Sequence, residues 1–153
     1  MTILLVDDEL EYRMLIRTVL MSRGYDVILA ENGQDALDKI LGLRPDLIIT
    51  DIYMPVMDGI KMSRAVRELA DFEKVPILYL SGYDDQHTRD VVKDPRYEGF
   101  LRKGTPLAEL VQWIEYLTTP GETRPSPIPK GTQTRMNIRP RDGSRTFTNS
   151  PIL

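Results

Sequence analysis

Five side chains carry the chemistry this sequence offers: Asp7 and Asp8, Asp51, Ser81 and Lys103. Each stands at or just beyond the end of a short apolar run: residues 3–6, 47–50, 77–80 and 99–101. Three carboxylates brought close repel one another, which raises a pKa or recruits a cation. The candidate ligands are hard oxygens. The chain has no cysteine, and its single histidine, His87, falls away from the carboxylates. Hard oxygens favour Mg2+, which keeps several waters and takes one or two carboxylates. Asp8 and Asp51 are then the direct ligands, the backbone carbonyl of Tyr53 completes the protein share, and Asp7 stands one water further out. A carboxylate beside Mg2+ can attack a phosphoryl group and form an aspartyl phosphate. Transfer of this kind depends on positioning and charge neutralisation. Lys103 and the Ser81 hydroxyl can supply both around the phosphoryl oxygens, and Gly82 leaves backbone space there.

The elements that must bring these groups together are legible in the apolar pattern. Residues 3–6, 27–30, 47–50, 77–80 and 99–101 have strand length, and most are too continuous to have a polar face. That suits strands buried on both sides, as in a parallel sheet. Helical spacing lies between them. Tyr12, Leu15, Ile16, Val19 and Leu20 share one face of the first helix, and Leu107, Leu110, Val111, Ile114 and Leu117 share one face of the last. Gly24, Asn32-Gly33, Pro45, Asp58-Gly59 and Pro76 punctuate the units. The order is strand–helix repeated five times. Right-handed crossovers then put helices on both faces of the sheet, in an α/β doubly wound, three-layer sandwich. Such folds work at the carboxyl ends of their strands, where all five reactive side chains fall.

Composition bounds the rest. The chain has 153 residues, 41% hydrophobic and 28% charged, the size of one ordinary domain. Residues 3–6 form the longest early apolar run, far short of the ~20 residues of a membrane span and unlike a secretory signal. The expectation is a soluble, cytoplasmic protein without membrane insertion. The net charge of -3 is unevenly spread. Residues 1–118 hold 14 basic and 21 acidic residues, and residues 119–153 hold 6 and 2. Six of the 11 prolines also fall in that basic tail, which is below the usual size for independent folding.

These residues carry a family resemblance. LLVDDE at 4–9, DIYMPVMDG at 51–59, LSG at 80–82 and GFLRK at 99–103 resemble the receiver domain of two-component response regulators, the single-domain chemotaxis regulators included. The resemblance covers residues 1–118. It implies a flavodoxin-like fold with a parallel sheet in the order 2-1-3-4-5. Asp51 would be the phosphoacceptor, Asp7 and Asp8 the acidic pair for Mg2+, and Lys103 the phosphate-pairing lysine. Ser81 and Phe100 would be the switch pair: the phosphoryl group draws Ser81 inward, and the ring of Phe100 turns into the vacated space. The face built from the fourth helix, fifth strand and fifth helix then changes shape. A full population swing of this kind needs about 5.5 kcal/mol of differential affinity. A histidine kinase or histidine phosphotransfer protein would be the donor, and a downstream protein of unknown identity the receiver of the signal. The chain would be a signalling protein rather than an enzyme.

Several features depart from the family pattern. Gly104 follows Lys103 where proline is usual, which predicts a trans peptide or a rearranged, looser turn, since a cis bond before a non-proline residue costs about 2.5–4 kcal/mol. Tyr53 and Tyr83 stand two residues after Asp51 and Ser81, positions that tune phosphate lifetime in the family, and two rings there predict a long-lived phosphorylated state. The fourth helix is expected over residues 84–93, ended by Asp94-Pro95, with His87 on its surface. Trp113 and Tyr116 lie off the apolar stripe of the last helix, which makes them expected partner anchors. Residues 120–129 favour extended, polyproline-like conformations, and Asp142-Gly143 hints at a hairpin. The tail of residues 119–153 is expected to be disordered or docked on the receiver or a partner. Its few aromatics argue against direct nucleic-acid recognition. Two rival readings stand beside the main one. A scaffold of the same fold that no longer uses phosphorylation would leave the five reactive residues without a role. A haloacid-dehalogenase-like phosphatase would need Asp-x-Asp after the first strand, where the chain has Asp7-Asp8-Glu9, and would leave Met54-Pro55 unexplained.

Overall fold

The computed structural model describes residues 1–83 and 86–121. Five strands form one parallel sheet: β1 (Thr2–Val6), β2 (Asp26–Ala30), β3 (Leu47–Thr50), β4 (Ile77–Ser81) and β5 (Glu98–Arg102). Their spatial order is β2-β1-β3-β4-β5. The register sets Ile3 beside both Val27 and Leu47, and Tyr79 beside Phe100. Side chains alternate across the sheet, as the pleat requires. Leu4, Val6, Ile48, Ile77, Tyr79 and Phe100 enter one core, with Ala36 and Ile40 of α2 (Gly33–Leu43) and Met62 and Val66 of α3 (Gly59–Arg67). Ile3, Leu5, Leu47, Ile49, Leu78, Leu80 and Leu101 enter the other, with Ile16 and Leu20 of α1 (Leu10–Ser22) and Leu110, Ile114 and Leu117 of α5 (Leu107–Thr118). Two cores on either side of one sheet explain why the strands read as continuous apolar runs. No helix among the described residues is long and apolar enough to cross a membrane.

The structure corrects the expected helices at three places. The apolar spacing places Leu15 and Leu107 on buried faces, but they are 53% and 42% exposed. The buried stripe of α1 is narrower, carried by Ile16 and Leu20, and Leu107 is only the first residue of α5. The fourth helix, α4, is a single turn, Gln86–Arg89. Its continuation is captured from a distance: the Lys93 amide donates to Glu98 Oε1 at 2.8 Å, so it does not serve a helical ladder. Pro95 then disfavours helix at the residue before it. Glu98 is itself buried and paired with Arg67 Nη2 at 3.0 Å, and Arg67 also donates to the carbonyl of Val75 at 2.6 Å. The Arg67–Glu98 pair thereby ties α3 to the segments on both sides of β4.

The third correction concerns Trp113, expected as an exposed partner anchor. It is 2% exposed. Gly99 of β5 makes the slot: a Cβ there would meet Trp113 ring carbons at 2.2–2.7 Å. Tyr116 is half-buried and meets the Trp113 ring edge-on, with centroids 5.9 Å apart. The expected features of the tail beyond Gly121 lie outside the described residues.

Candidate functional site

Each reactive residue is delivered by the end of a strand. The Asp7 amide continues the β1 ladder by donating to the Ala30 carbonyl at 3.1 Å, and the Asp51 amide donates to the Val6 carbonyl at 2.9 Å. The two acidic segments therefore sit side by side beyond β1 and β3. The β3–α3 turn folds back tightly over Asp51. Asp58 caps α3, its side chain accepting from the Lys61 amide at 2.8 Å. A Cβ on Gly59 would lie 2.0 Å from the Asp51 carbonyl oxygen, so only glycine lets the helix start this close. The Asp58-Gly59 pair is thus both a helix cap and the closure of the site.

The carboxylates meet as the spacing predicts. Ligand oxygens of Asp7, Asp8 and Asp51 all lie within 4.8 Å of one another. Asp7 and Asp51 are buried and Asp8 is exposed, so one carboxylate faces the mouth. Asp51 Oδ1 accepts from the Ile52 amide at 2.7 Å and Asp7 Oδ1 from the Glu9 amide at 2.8 Å. Their other oxygens point to Lys103. Its Nζ lies 2.8 Å from Asp7 Oδ2, 3.0 Å from Asp51 Oδ2 and 2.9 Å from Glu9 Oε1. Burial pushes the carboxyl groups of Asp7 and Asp51 above their ordinary range, although Lys103 opposes the shift at both. Burial would lower the Lys103 ammonium, but its bonds to Asp7 and Glu9 and the charge of Asp51 outweigh this and hold it above its ordinary value. The cluster still has more carboxylates than cations. An oxygen-rich set with one exposed member suits a hard divalent cation that retains water; Asp7, Asp8 and Asp51 are the residues able to hold it.

The remaining expected residues fall around this centre. Ser81 is fully buried at the end of β4. Its carbonyl accepts from the Lys103 amide at 2.7 Å and its Oγ from the Tyr83 amide at 3.2 Å. Phe100 is 5% exposed on the α3 side of β5. Tyr53 and Tyr83 are 42% and 62% exposed, yet they meet edge-to-face with centroids 5.2 Å apart. The pair joins the loop after Asp51 to the loop after Ser81. Gly104 has φ +91°, so the turn after Lys103 uses a conformation that favours glycine. His87 is exposed on α4.

Three participants were not singled out for the site from the sequence. Glu9 is the third carboxylate on Lys103. Arg13 donates to the Asp7 carbonyl. Tyr12 was read only as a core residue, but the Lys103 ammonium sits 4.5 Å from its ring centroid. Burial pushes the Tyr12 phenol up to about 12, so it stays neutral beside the ammonium. The signal for Glu9 and Arg13 lay in their nearness to Asp7; Tyr12 gave none, because apolar spacing accounted for it fully.

The profile of the response regulator receiver domain matches residues 3–115. The chain belongs to this family. Response regulator MprA of Mycobacterium sp. (strain KMS) is 37% identical over 128 residues, covering 82% of this chain and 55% of MprA. The receiver chain thus spans about half the length of the curated relatives it matches. Among solved structures, chemotaxis protein CheY4 of Vibrio cholerae is 31% identical with a TM-score of 0.70, covering 76% of this chain and 97% of its own. Response regulator TrrA of Thermotoga maritima, solved in complex with Mg(2+)-BeF, is 31% identical with a TM-score of 0.67 over the same shares. The receiver described here is a domain of two-component signalling with the flavodoxin-like sheet order of these relatives.

Proposed function

We propose that this receiver accepts a phosphoryl group on Asp51, in a reaction that requires Mg2+ held by Asp7, Asp8, Asp51 and the Tyr53 carbonyl. The observation that carries the reading is the position of Lys103, whose one ammonium is bonded to both Asp7 and Asp51. A cation there can follow the charge as it moves from the Asp51 carboxylate to an attached phosphoryl group. When bound, the divalent ion neutralises phosphoryl oxygens and aligns the donor. Asp51 Oδ2 attacks phosphorus, and the bond from phosphorus to the donor's histidine nitrogen breaks. The released imidazole takes up a proton, and the aspartyl phosphate remains. Lys103 exchanges a carboxylate oxygen for a phosphoryl oxygen without leaving the site. The Ser81 hydroxyl, at the same end of the sheet, gives up its local bond to the Tyr83 amide and turns to the phosphoryl group. Phe100 follows on the neighbouring strand. The rings of Tyr53 and Tyr83, already in contact, restrict attack by water and lengthen the phosphorylated state.

The donor is a histidine kinase or histidine phosphotransfer protein, and the output is contact with a downstream protein in the cytoplasm. Leu10, Met14 and Met21 are 61%, 39% and 49% exposed. They lie along one side of α1, whose first turn borders Asp7 and Asp8, and they offer the donor an apolar stripe beside the acceptor. Incubation of the full chain with acetyl phosphate and Mg2+ tests the reading by mass spectrometry. A single phosphoryl group on Asp51, abolished by chelation and by Asp51→Asn, is the expected result. An intact mass unchanged under saturating phosphodonor would refute it and favour a scaffold of the same fold. A pull-down comparing parent and Asp51→Asn under phosphorylating conditions then isolates the downstream partner.

A further inference from the structure

The tip of Lys103 is surrounded on one side by carboxylates and on the other by a ring. Its side chain is only 12% exposed, so interactions with it are weakly screened. The Lys103 amide donates a hydrogen bond to the Ser81 carbonyl at 2.7 Å, which fixes the backbone at the end of β5. After it, the Thr105 amide donates to the Arg102 carbonyl at 3.2 Å and closes a turn around the exposed Gly104, where a Cβ would touch nothing within 4 Å. A four-carbon stem then has to be ordered by what its end touches. Three carboxylates share the ammonium at 2.8–3.0 Å, so its place among them depends on what else it touches. Glu9 in particular is 64% exposed and draws it toward solvent.

Tyr12 supplies a further constraint. It stands one helical turn before Ile16 and two before Leu20, and it packs against the core those residues share with Ile3 and Leu5. Its ring is therefore held by the body of the domain. The ammonium at 4.5 Å from the centroid is within the range of a cation–π contact, which strengthens when desolvated. The Tyr12 hydroxyl makes no hydrogen bond among the described residues. The ring, not the phenol, is what the site uses.

We propose that Tyr12 is a positioning residue, whose ring holds the Lys103 ammonium over Asp51. This rests on the phosphoryl-acceptor reading given above. Truncating the ring lets the lysine wander among the carboxylates and toward Glu9, while the carboxylates themselves keep their places. The Mg2+ site and the phosphotransfer step should therefore respond differently.

The test uses the full chain as parent, Tyr12→Leu and Tyr12→Phe. Leucine keeps the helix and the apolar packing; phenylalanine keeps the ring. Phosphorylation of Asp51 by acetyl phosphate is followed by mass spectrometry at saturating donor and Mg2+, and Mg2+ affinity is measured by calorimetry. Tyr12→Leu should slow the saturated rate about three- to tenfold with the Mg2+ dissociation constant changed less than about twofold. Tyr12→Phe should restore the rate. Carbon-edited NMR provides a readout independent of phosphorylation: the Lys103 Hε protons should show an upfield ring-current shift in the parent and in Tyr12→Phe, and lose it in Tyr12→Leu. A parent-like rate in Tyr12→Leu, a Tyr12→Phe as slow as Tyr12→Leu, or a parent without the ring-current shift would each overturn the proposal. If the parent and Asp51→Asn both take up no phosphoryl group, the acceptor reading fails by itself. The Lys103 shift then still decides whether Tyr12 holds the lysine.

Discussion

Replacing Lys103 by methionine removes the ammonium bonded to the carboxylates of the acidic centre and leaves its shape. In the parent, Asp7 and Asp51 have side chains 3% and 10% exposed, each bonded to Lys103 Nζ. With the cation gone, carboxylate oxygens within 4.8 Å of one another repel by about 3–4 kcal/mol per ionised pair at an effective dielectric near 20. Removing one partner of a buried pair costs about 3–5 kcal/mol. The exposed Asp8 and proton uptake relieve part of this, so Lys103→Met should lose about 3 kcal/mol at pH 7.5 without divalent ions. That corresponds to a midpoint lowered by roughly 10 °C for a domain of this size. The sign of the pH dependence follows from the raised pKa of Asp7 and Asp51. A folded state that binds its protons more tightly than the unfolded chain loses stability as pH rises through the raised values. The deficit of the variant should therefore shrink as the pH is lowered toward 5. It should also shrink with Mg2+, which binds the more acidic centre of the variant more tightly and therefore stabilises it more than the parent. Urea unfolding followed by circular dichroism, at two pH values with and without Mg2+, measures all of this. A deficit independent of both pH and Mg2+ would show that Lys103 contributes packing alone and would refute the charge argument.

Three further outcomes follow from particular contacts. Gly99→Ala places a methyl inside the Trp113 ring and should cost about 1–3 kcal/mol by overpacking, read by urea unfolding; a neutral result would mean that α5 can lift off β5 freely. Tyr53→Asn breaks the ring contact with Tyr83 and should shorten the lifetime of phospho-Asp51 several-fold, measured by phosphate release; an unchanged or longer lifetime contradicts the shielding role. Burial pushes the Tyr79 phenol, bonded to Ser63 Oγ at 2.7 Å, up to about 12. The folded state thus keeps a proton that the unfolded chain sheds above its ordinary value of 10.0, and stability should fall between pH 10 and about 12 by roughly 1.4 kcal/mol per unit for this group; Tyr79→Phe should make that decline shallower by the same amount.

The strand order rests on the family resemblance, since burial does not say which strands are neighbours. The strands themselves were legible because most are buried on both faces, and a residue at the end of a parallel strand has a known address. Asp7, Asp51 and Lys103 converge for that reason alone. What was illegible depends on distant partners. Trp113 is off the apolar stripe of its own helix, and only the absent side chain of Gly99 brings it inside. The early end of α4 is set by Glu98, whose carboxylate takes the Lys93 amide and is held from behind by Arg67. Tyr12 was already accounted for by its helix face, so nothing in the spacing announced a second use for its ring.

The slot over Gly99 has an optical consequence. The chain contains one tryptophan, so its fluorescence comes from one place, where β5 meets α5. The indole is 2% exposed, and its Nε1 has no hydrogen-bond partner among the described residues. Such an indole emits toward the blue. Gly99 is the residue before Phe100 in the same strand, so a shift of that strand alters the slot and moves the emission. The protein thus contains its own unlabelled reporter, seated on the residue that precedes the aromatic expected to turn.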